Sequence, residues 1–248
     1  MDLLDPLVDP AEGFVSTGDL PPPGRVARLV DDAHLRFGSV ALGQVSNVYP
    51  ALARVPPELF GICVVGTDGR VHAVGDAEHE FTIMSVSKPF LFALICDRIG
   101  PTGARERLGM NATGYAFNSA IIAERSPGGR TNPMVNSGAI AATSLVPGAD
   151  VDEKWRYIRD GLSRFAGREL AINEEVYESA SETNFRNRSL AWMLQSLGGI
   201  YSDPMEAVDL YTRQCSLDVS ARDLAVMGAT LADGGFNPLG LTPSGGPG

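Results

Sequence analysis

Two lysines stand against eighteen arginines in this chain, and one of them, Lys88, lies in Met84-Ser85-Val86-Ser87-Lys88-Pro89-Phe90. Arginine is effectively always protonated, whereas a desolvated lysine can be driven neutral and accept a proton. Ser85 and Lys88 have the S-x-x-K spacing, which at a helix start puts hydroxyl and amine on one face, one turn apart. That is the arrangement of a serine nucleophile with an amine as its base. Chance supplies the spacing in roughly one such chain in seven, so by itself it decides nothing. The competing reading is a helix whose Lys88 points into solvent.

A second segment of unusual composition is Arg130-Thr131-Asn132-Pro133-Met134-Val135-Asn136-Ser137-Gly138-Ala139-Ile140. Asn132 and Pro133 suit the N-cap and first position of a helix. Asn136 then falls inside that helix, a poor place for asparagine without a polar partner. A carboxamide that holds a substrate amide or carboxylate accounts for it.

The elements that must position these groups follow from pattern. Arg25 to Phe37 repeats Val26, Leu29, Val30, Ala33 and Phe37 at helical spacing. Phe60 to Gly66 reads as a strand, Thr67-Asp68-Gly69 as a tight turn and Arg70 to Val74 as the returning strand. Ser85 to Arg98 is a predicted helix with Pro89 in its first turns. Further helices are predicted over 101–108, 118–125, 134–145, 151–166, 173–183, 187–197, 204–212 and 219–233. One hairpin is too little sheet for so many helices, since two strands alone are marginal.

Composition narrows the classes. The 248 residues carry a net charge of −10 with both signs interleaved, which argues against nucleic acid as a partner. The longest apolar run, Phe90 to Cys96, is too short for a membrane span. Residues 1–20 hold five acidic residues and no lysine or arginine, the reverse of a secretory leader; they read as a loose arm. Residues 21–240 read as the folded unit and 241–248, rich in glycine and proline, as a frayed tail. Cys63, Cys96 and Cys215 are odd in number and lack C-x-x-C spacing, as expected of reduced core thiols in a cytoplasmic protein. His34, His72 and His79 show no metal-ligand spacing, and surface or structural roles are expected of them.

Five stretches together resemble the serine-dependent glutaminases: Phe60 to Val65, Met84 to Pro89, Asn132 to Ile140, Arg186 to Ala191 and Tyr211 to Met227. They run in that family's order. The resemblance implies an α+β fold of the serine β-lactamase/transpeptidase type, a helical cluster packed on an antiparallel sheet. It implies Ser85 as nucleophile, Lys88 as the amine that takes its proton, and Asn136, Asn187 and Tyr211 as contacts for L-glutamine. It implies no cofactor and no metal, and a homo-oligomer, tetramer or dimer. Without the resemblance, Tyr211 reads as a core-edge residue and Asn187 as the N-cap of the following helix.

Three departures accompany it. In Gly43-Gln-Val-Ser-Asn-Val48-Tyr49-Pro50, valine stands where the family has tyrosine, and the tyrosine comes one position later. The family glutamate seven residues before the second asparagine falls at Ala180, with Glu178 and Glu182 out of register. The family's K-S-G strand and last sheet strands are expected to lie outside this chain. An inactive glutaminase-like remnant, or another S-x-x-K hydrolase of β-lactamase or esterase type, are the alternatives.

Overall fold

The computed structural model describes residues 22–240. The expected arm at 1–20 and tail at 241–248 lie outside those residues. In chain order the elements are α1 (Pro23–Phe37), β1 (Gly61–Val65), β2 (Val71–Gly75), β3 (Phe81–Thr82), α2 (Lys88–Arg107), α3 (Ile121–Arg125), α4 (Asn136–Thr143), α5 (Val151–Ala166), α6 (Glu174–Thr183), α7 (Phe185–Leu197), α8 (Pro204–Cys215), β4 (Asp218–Val219) and α9 (Ala221–Ala232). Short 3-10 turns cover Pro50–Arg54, Met84–Ser87 and Pro127–Gly129.

The predicted hairpin forms as read. β1 and β2 pair antiparallel, with Cys63 opposite Ala73 and Val64 opposite His72. Both α9 and α1 pack on it, so it is not left bare. The expected apolar stripe of α1 is only partly used, because Val30 is buried while Leu29 and Phe37 remain about half exposed. His34 stacks on Phe60, ring centroids 5.4 Å apart, which gives that histidine a structural role.

Several predicted boundaries move, each for a local reason. The helices expected over 85–98 and 101–108 are one element, α2, broken at Gly100 (φ 75°) just before Pro101. A left-handed residue there is tolerable only as glycine. The helix expected over 118–125 shortens to α3. The helix expected from 219 begins at Ala221, because Ser220 caps it in a capping box with Asp223. The two residues before the cap pair instead with β3, Phe81 opposite Val219 and Thr82 opposite Asp218. That two-residue sheet has too few positions to show a periodicity. Cys215 is buried as expected, but Cys63 and Cys96 are only half-buried, which corrects their reading as core thiols.

Two apolar cores meet at α8. Leu210 joins Leu91, Leu94, Ile158, Leu162 and Met227 in the first. Val208, Tyr211 and Cys215 join Ile140, Leu190 and Leu194 in the second. Asp203 accepts from the backbone N–H of Met205 and Glu206, each at 2.9 Å, and starts the helix cleanly. α8 is therefore fixed on both sides, and its C-terminal turn carries two residues toward the site.

The segment entering the site is fixed separately. Arg168 donates to Asp223 through Nε (2.9 Å) and Nη2 (2.7 Å), and Nη2 also reaches Glu80 at 2.7 Å. Burial alone would raise the Asp223 carboxyl, but the bonds from Arg168 and Ser220 outweigh it and hold it below the usual carboxylate range. One guanidinium thus pins the lead-in to β3 against the N-terminus of α9.

Among the described residues β1 and β2 pair only with each other, and open strand edges recruit other chains. The purified 248-residue chain is expected to self-associate on size-exclusion chromatography. Val64 faces outward on β1 and is 40% exposed, so Val64→Lys is expected to reduce the association. A monodisperse monomer before any substitution contradicts this account of the edge.

Candidate active site

Ser85 sits in the 3-10 turn Met84–Ser87, directly ahead of α2. Met84 has φ 50°, the one positive φ at a non-glycine among the described residues. Such a conformation costs about 1–3 kcal/mol and persists only where its surroundings enforce it. Here they do. Ser87 Oγ donates to the Met84 carbonyl at 2.7 Å and accepts from Gln214 Nε2 at 2.7 Å. The Ile83 N–H donates to the Leu217 carbonyl at 2.8 Å. Ser87 and Gln214 are fully buried, whereas Ser85 is exposed and lines a cleft. The two serines divide the work: Ser87 holds the turn and Ser85 is presented by it.

Lys88, the first residue of α2, is 4% exposed, which removes the solvent-facing reading. Its Nζ donates to Asn136 Oδ1 at 2.8 Å and to the Met134 carbonyl at 3.2 Å, and lies 5.4 Å from the centroid of the Phe117 ring. Among the described residues no carboxylate pairs with it, whereas Lys154 is bridged to Glu206. Burial without a counter-ion pushes the Lys88 ammonium down to about 8. A fraction of this amine is neutral near neutral pH, as a base requires.

The remaining expected residues gather around the same cavity of about 550 Å³, a size that suits a small ligand. Asn136, Asn187 and Tyr211 all line it. Asn136 Nδ2 donates to Asn187 Oδ1 at 3.4 Å, so two carboxamides from α4 and α7 meet across the pocket floor. Tyr211 is 3% exposed. Burial, with smaller contributions from Cys215 and Ser85, pushes its hydroxyl well above 10. It therefore stays protonated. The Cys215 thiol is itself pushed up to about 11 by burial and is neutral as well.

Local readings change in three places. Asn132 does not cap α4; its Oδ1 accepts from the Met134 N–H at 2.9 Å, two residues on, and the N-cap is Val135. Asn136 is consequently the first residue of α4 rather than an interior one. Asn187 is not an N-cap either, since α7 starts at Phe185 after Asn184, and its side chain is buried at 7%. The shifted tyrosine reaches the pocket: Tyr49 lines the cavity, and so does Val48, which is two-thirds exposed. Ala180 is buried and uncharged. The carboxylates that do line the cavity are Glu80 and Glu175, paired with Arg168 and Arg54.

Sequence reasoning missed Tyr49, Phe117, Cys215 and His79 as pocket residues. Two left a usable signal: Tyr49 as the tyrosine one position from the family's, and Cys215 four residues after Tyr211 and so on the same helical face. Phe117 lies in the stretch between α2 and α3, where no periodicity operates. No group of three or more His, Cys, Asp or Glu side chains among the described residues could hold a metal ion. No described helix is long and apolar enough to cross a membrane.

The comparisons with known proteins agree with this geometry. The family model described as Glutaminase matches residues 43–242. Glutaminase 2 of Yersinia pestis is 67% identical over 226 residues, covering 91% of this chain and 66% of that protein. A glutaminase of Brucella canis is 51% identical over 197 residues, covering 79% of this chain and 62% of that protein. The chain thus spans about two thirds of the length of these relatives. Among solved structures, a probable glutaminase, ybaS, superposes with a TM-score of 0.85 at 41% identity, covering 88% of this chain and 71% of that one. Mglu in its glutamate form superposes with a TM-score of 0.81 at 35% identity, covering 91% and 52%. The Ser85 turn, the buried amine and the paired asparagines thus sit on an α+β fold shared with solved glutaminases, and the chain belongs to the glutaminase family.

Proposed function

We propose that this chain carries a glutaminase site that hydrolyses L-glutamine to L-glutamate and ammonia through an ester on Ser85. The single observation that carries this reading is the buried, carboxylate-free Lys88 one turn after an exposed serine on a strained turn. The substrate's side-chain carboxamide lies over Ser85. Neutral Lys88 takes the hydroxyl proton as Ser85 Oγ attacks the carbonyl carbon. The oxyanion is assigned to the backbone N–H of Ser85. The Lys88 ammonium so formed gives that proton to the departing nitrogen, with the protonated Tyr211 close by. Ammonia leaves, water attacks the ester as Lys88 takes one of its protons, and that proton passes to Ser85 Oγ as the acid is released. Asn136 and Asn187 fix the amino-acid end, and an unpaired carboxamide in the pocket disfavours ligands that lack it. No cofactor or metal enters the scheme.

The same reading extends to a cytoplasmic homo-oligomer, dimer or tetramer. Three free cysteines, the open hairpin edges and the exposed Phe185 and Trp192 on α7 support it. The relatives' name and the glutamate held by Mglu support the choice of substrate.

Ser85→Ala is expected to abolish ammonia release from glutamine with the fold intact by circular dichroism. Ser87→Ala is expected instead to lower the melting temperature, because it removes the bond that enforces the Met84 turn. If Ser87→Ala kills turnover at full stability while Ser85→Ala does not, the nucleophile is misassigned.

Lys88→Arg keeps the charge and removes any accessible neutral form. Turnover is expected to fall by roughly 10²–10⁴-fold, the usual worth of a general base. The neutral amine is the active form and its fraction grows with pH. The rate of Ser85 acylation is therefore expected to rise up to about pH 8 and level off above it. A rate that falls over that range rules out Lys88 as base.

Asn136→Ala is expected to weaken both binding and turnover of glutamine, since it removes a pocket carboxamide and one of the two acceptors on Lys88. L-asparagine and glutamine within a peptide are expected to be poorer substrates than free L-glutamine. Equal ammonia release from either overturns the substrate assignment.

A further inference from the structure

The backbone that holds Lys88 is itself held by a side chain so far without a role. Asn132 Oδ1 accepts from the Met134 N–H at 2.9 Å, and Asn132 Nδ2 donates to the carbonyls of Met110 and Asn111, both at 3.3 Å. The Asn132 carbonyl accepts from the Val135 N–H at 3.1 Å, and the Asn136 N–H donates to the Phe117 carbonyl at 2.8 Å. A Cβ added to Gly138 would lie 2.0 Å from the Asn132 carbonyl oxygen, so α4 rests directly on this turn. The Met134 side chain is 39% exposed and does little to lock its own carbonyl. An asparagine turn of this kind is common in loops. What sets this one apart is its product, a carbonyl oxygen 3.2 Å from a buried amine that has no carboxylate partner among the described residues.

We propose that Asn132 is a positioning residue for Lys88. By tying Met134 to the 110–111 backbone, it aims the Met134 carbonyl at Nζ and keeps the amine directed at that oxygen and at Asn136. The other groups around Nζ are the Asn136 carboxamide from α4, the Phe117 ring from the segment between α2 and α3, and the Cys215 thiol from α8, which stays neutral. An ammonium surrounded by uncharged groups depends on its carbonyl acceptors, so removing one shifts the balance toward the neutral amine. The consequence for rate rests on Lys88 being the base, but the arrangement itself can be read without turnover.

The sequence makes that reading simple, because Lys88 and Lys154 are its only lysines. With lysine labelled at the side-chain carbon next to the amine, the full chain gives two lysine signals by NMR, and Lys88→Arg assigns them. Lys154, bridged to Glu206, serves as the internal control. In Asn132→Ala the Lys88 titration is expected to fall by at least about half a pH unit, with Lys154 unmoved. In Asn132→Ser, whose hydroxyl can still accept from the N–H two residues on, most of the original titration is expected to return. An unchanged or raised Lys88 titration in folded Asn132→Ala overturns the proposal, as do equal shifts in the alanine and serine variants. If the alanine variant unfolds, both lysines move together toward about 10.4 and the serine variant decides. A near-native Lys88 titration there supports positioning, and unfolding there overturns it. Because no step of this test uses glutamine, its failure is distinct from failure of the Ser85 assignments above.

Discussion

A primary amine buried without a counter-ion among the described residues is the constraint on which this structure depends. Placing an ammonium in such surroundings is costly, and the fold answers with two neutral oxygen acceptors and an aromatic face rather than with a carboxylate. A carboxylate would hold Lys88 protonated. Carbonyl acceptors are a compromise, enough to keep the side chain ordered and too weak to restore its ordinary pKa. The rarity of lysine in the chain fits a position where arginine could not serve.

The rest of the molecule fixes the geometry around that amine from three directions. The β3–β4 pair and the Arg168 bridge hold the lead-in to Ser85. α8, shared between the two cores, brings Gln214 under the strained turn and Tyr211 to the cavity that Ser85 lines. α4 supplies Asn136 at its first residue, next to the turn that presents the Met134 carbonyl. Strain at Met84 is stored because Ser87 and Gln214 are completely buried and have nowhere to relax. One Gln214 oxygen lacks a partner there, a further sign that the turn takes precedence over local satisfaction.

The lining of this pocket offers carboxamides and phenols more than free charge. Glu80 and Glu175 line it, but each is tied to an arginine. Ala180 offers no carboxylate, and Tyr49 reaches the cavity from the position after Val48. A one-residue shift of a tyrosine in an irregular segment is easily absorbed, because no helical or strand period fixes which way neighbouring side chains point. The same shift inside α8 would turn the side chain by roughly 100° and remove it from the site.

The residue types and local spacing determined what is local in this protein. Ser85 and Lys88 fall one turn apart whatever the rest of the chain does, and the glycine turn at 67–69 commits β1 and β2 to a hairpin. The helices α5 and α8 follow from their caps at Asp150 and Asp203 and from their apolar faces. Only the tertiary structure decided the rest. Whether Lys88 faces solvent or core depends on α4 and α8 closing over it. Whether Asn136 caps, fills or binds depends on a helix boundary that moved by two residues. The β3–β4 pair joins positions more than a hundred residues apart, and two-residue strands carry no period to announce them. The pocket itself is a product of contacts distant in sequence, with Tyr49, Phe117, Asn187 and Cys215 arriving from four separate segments. Burial sets the chemistry of the amine, and burial is a property no stretch of sequence has on its own.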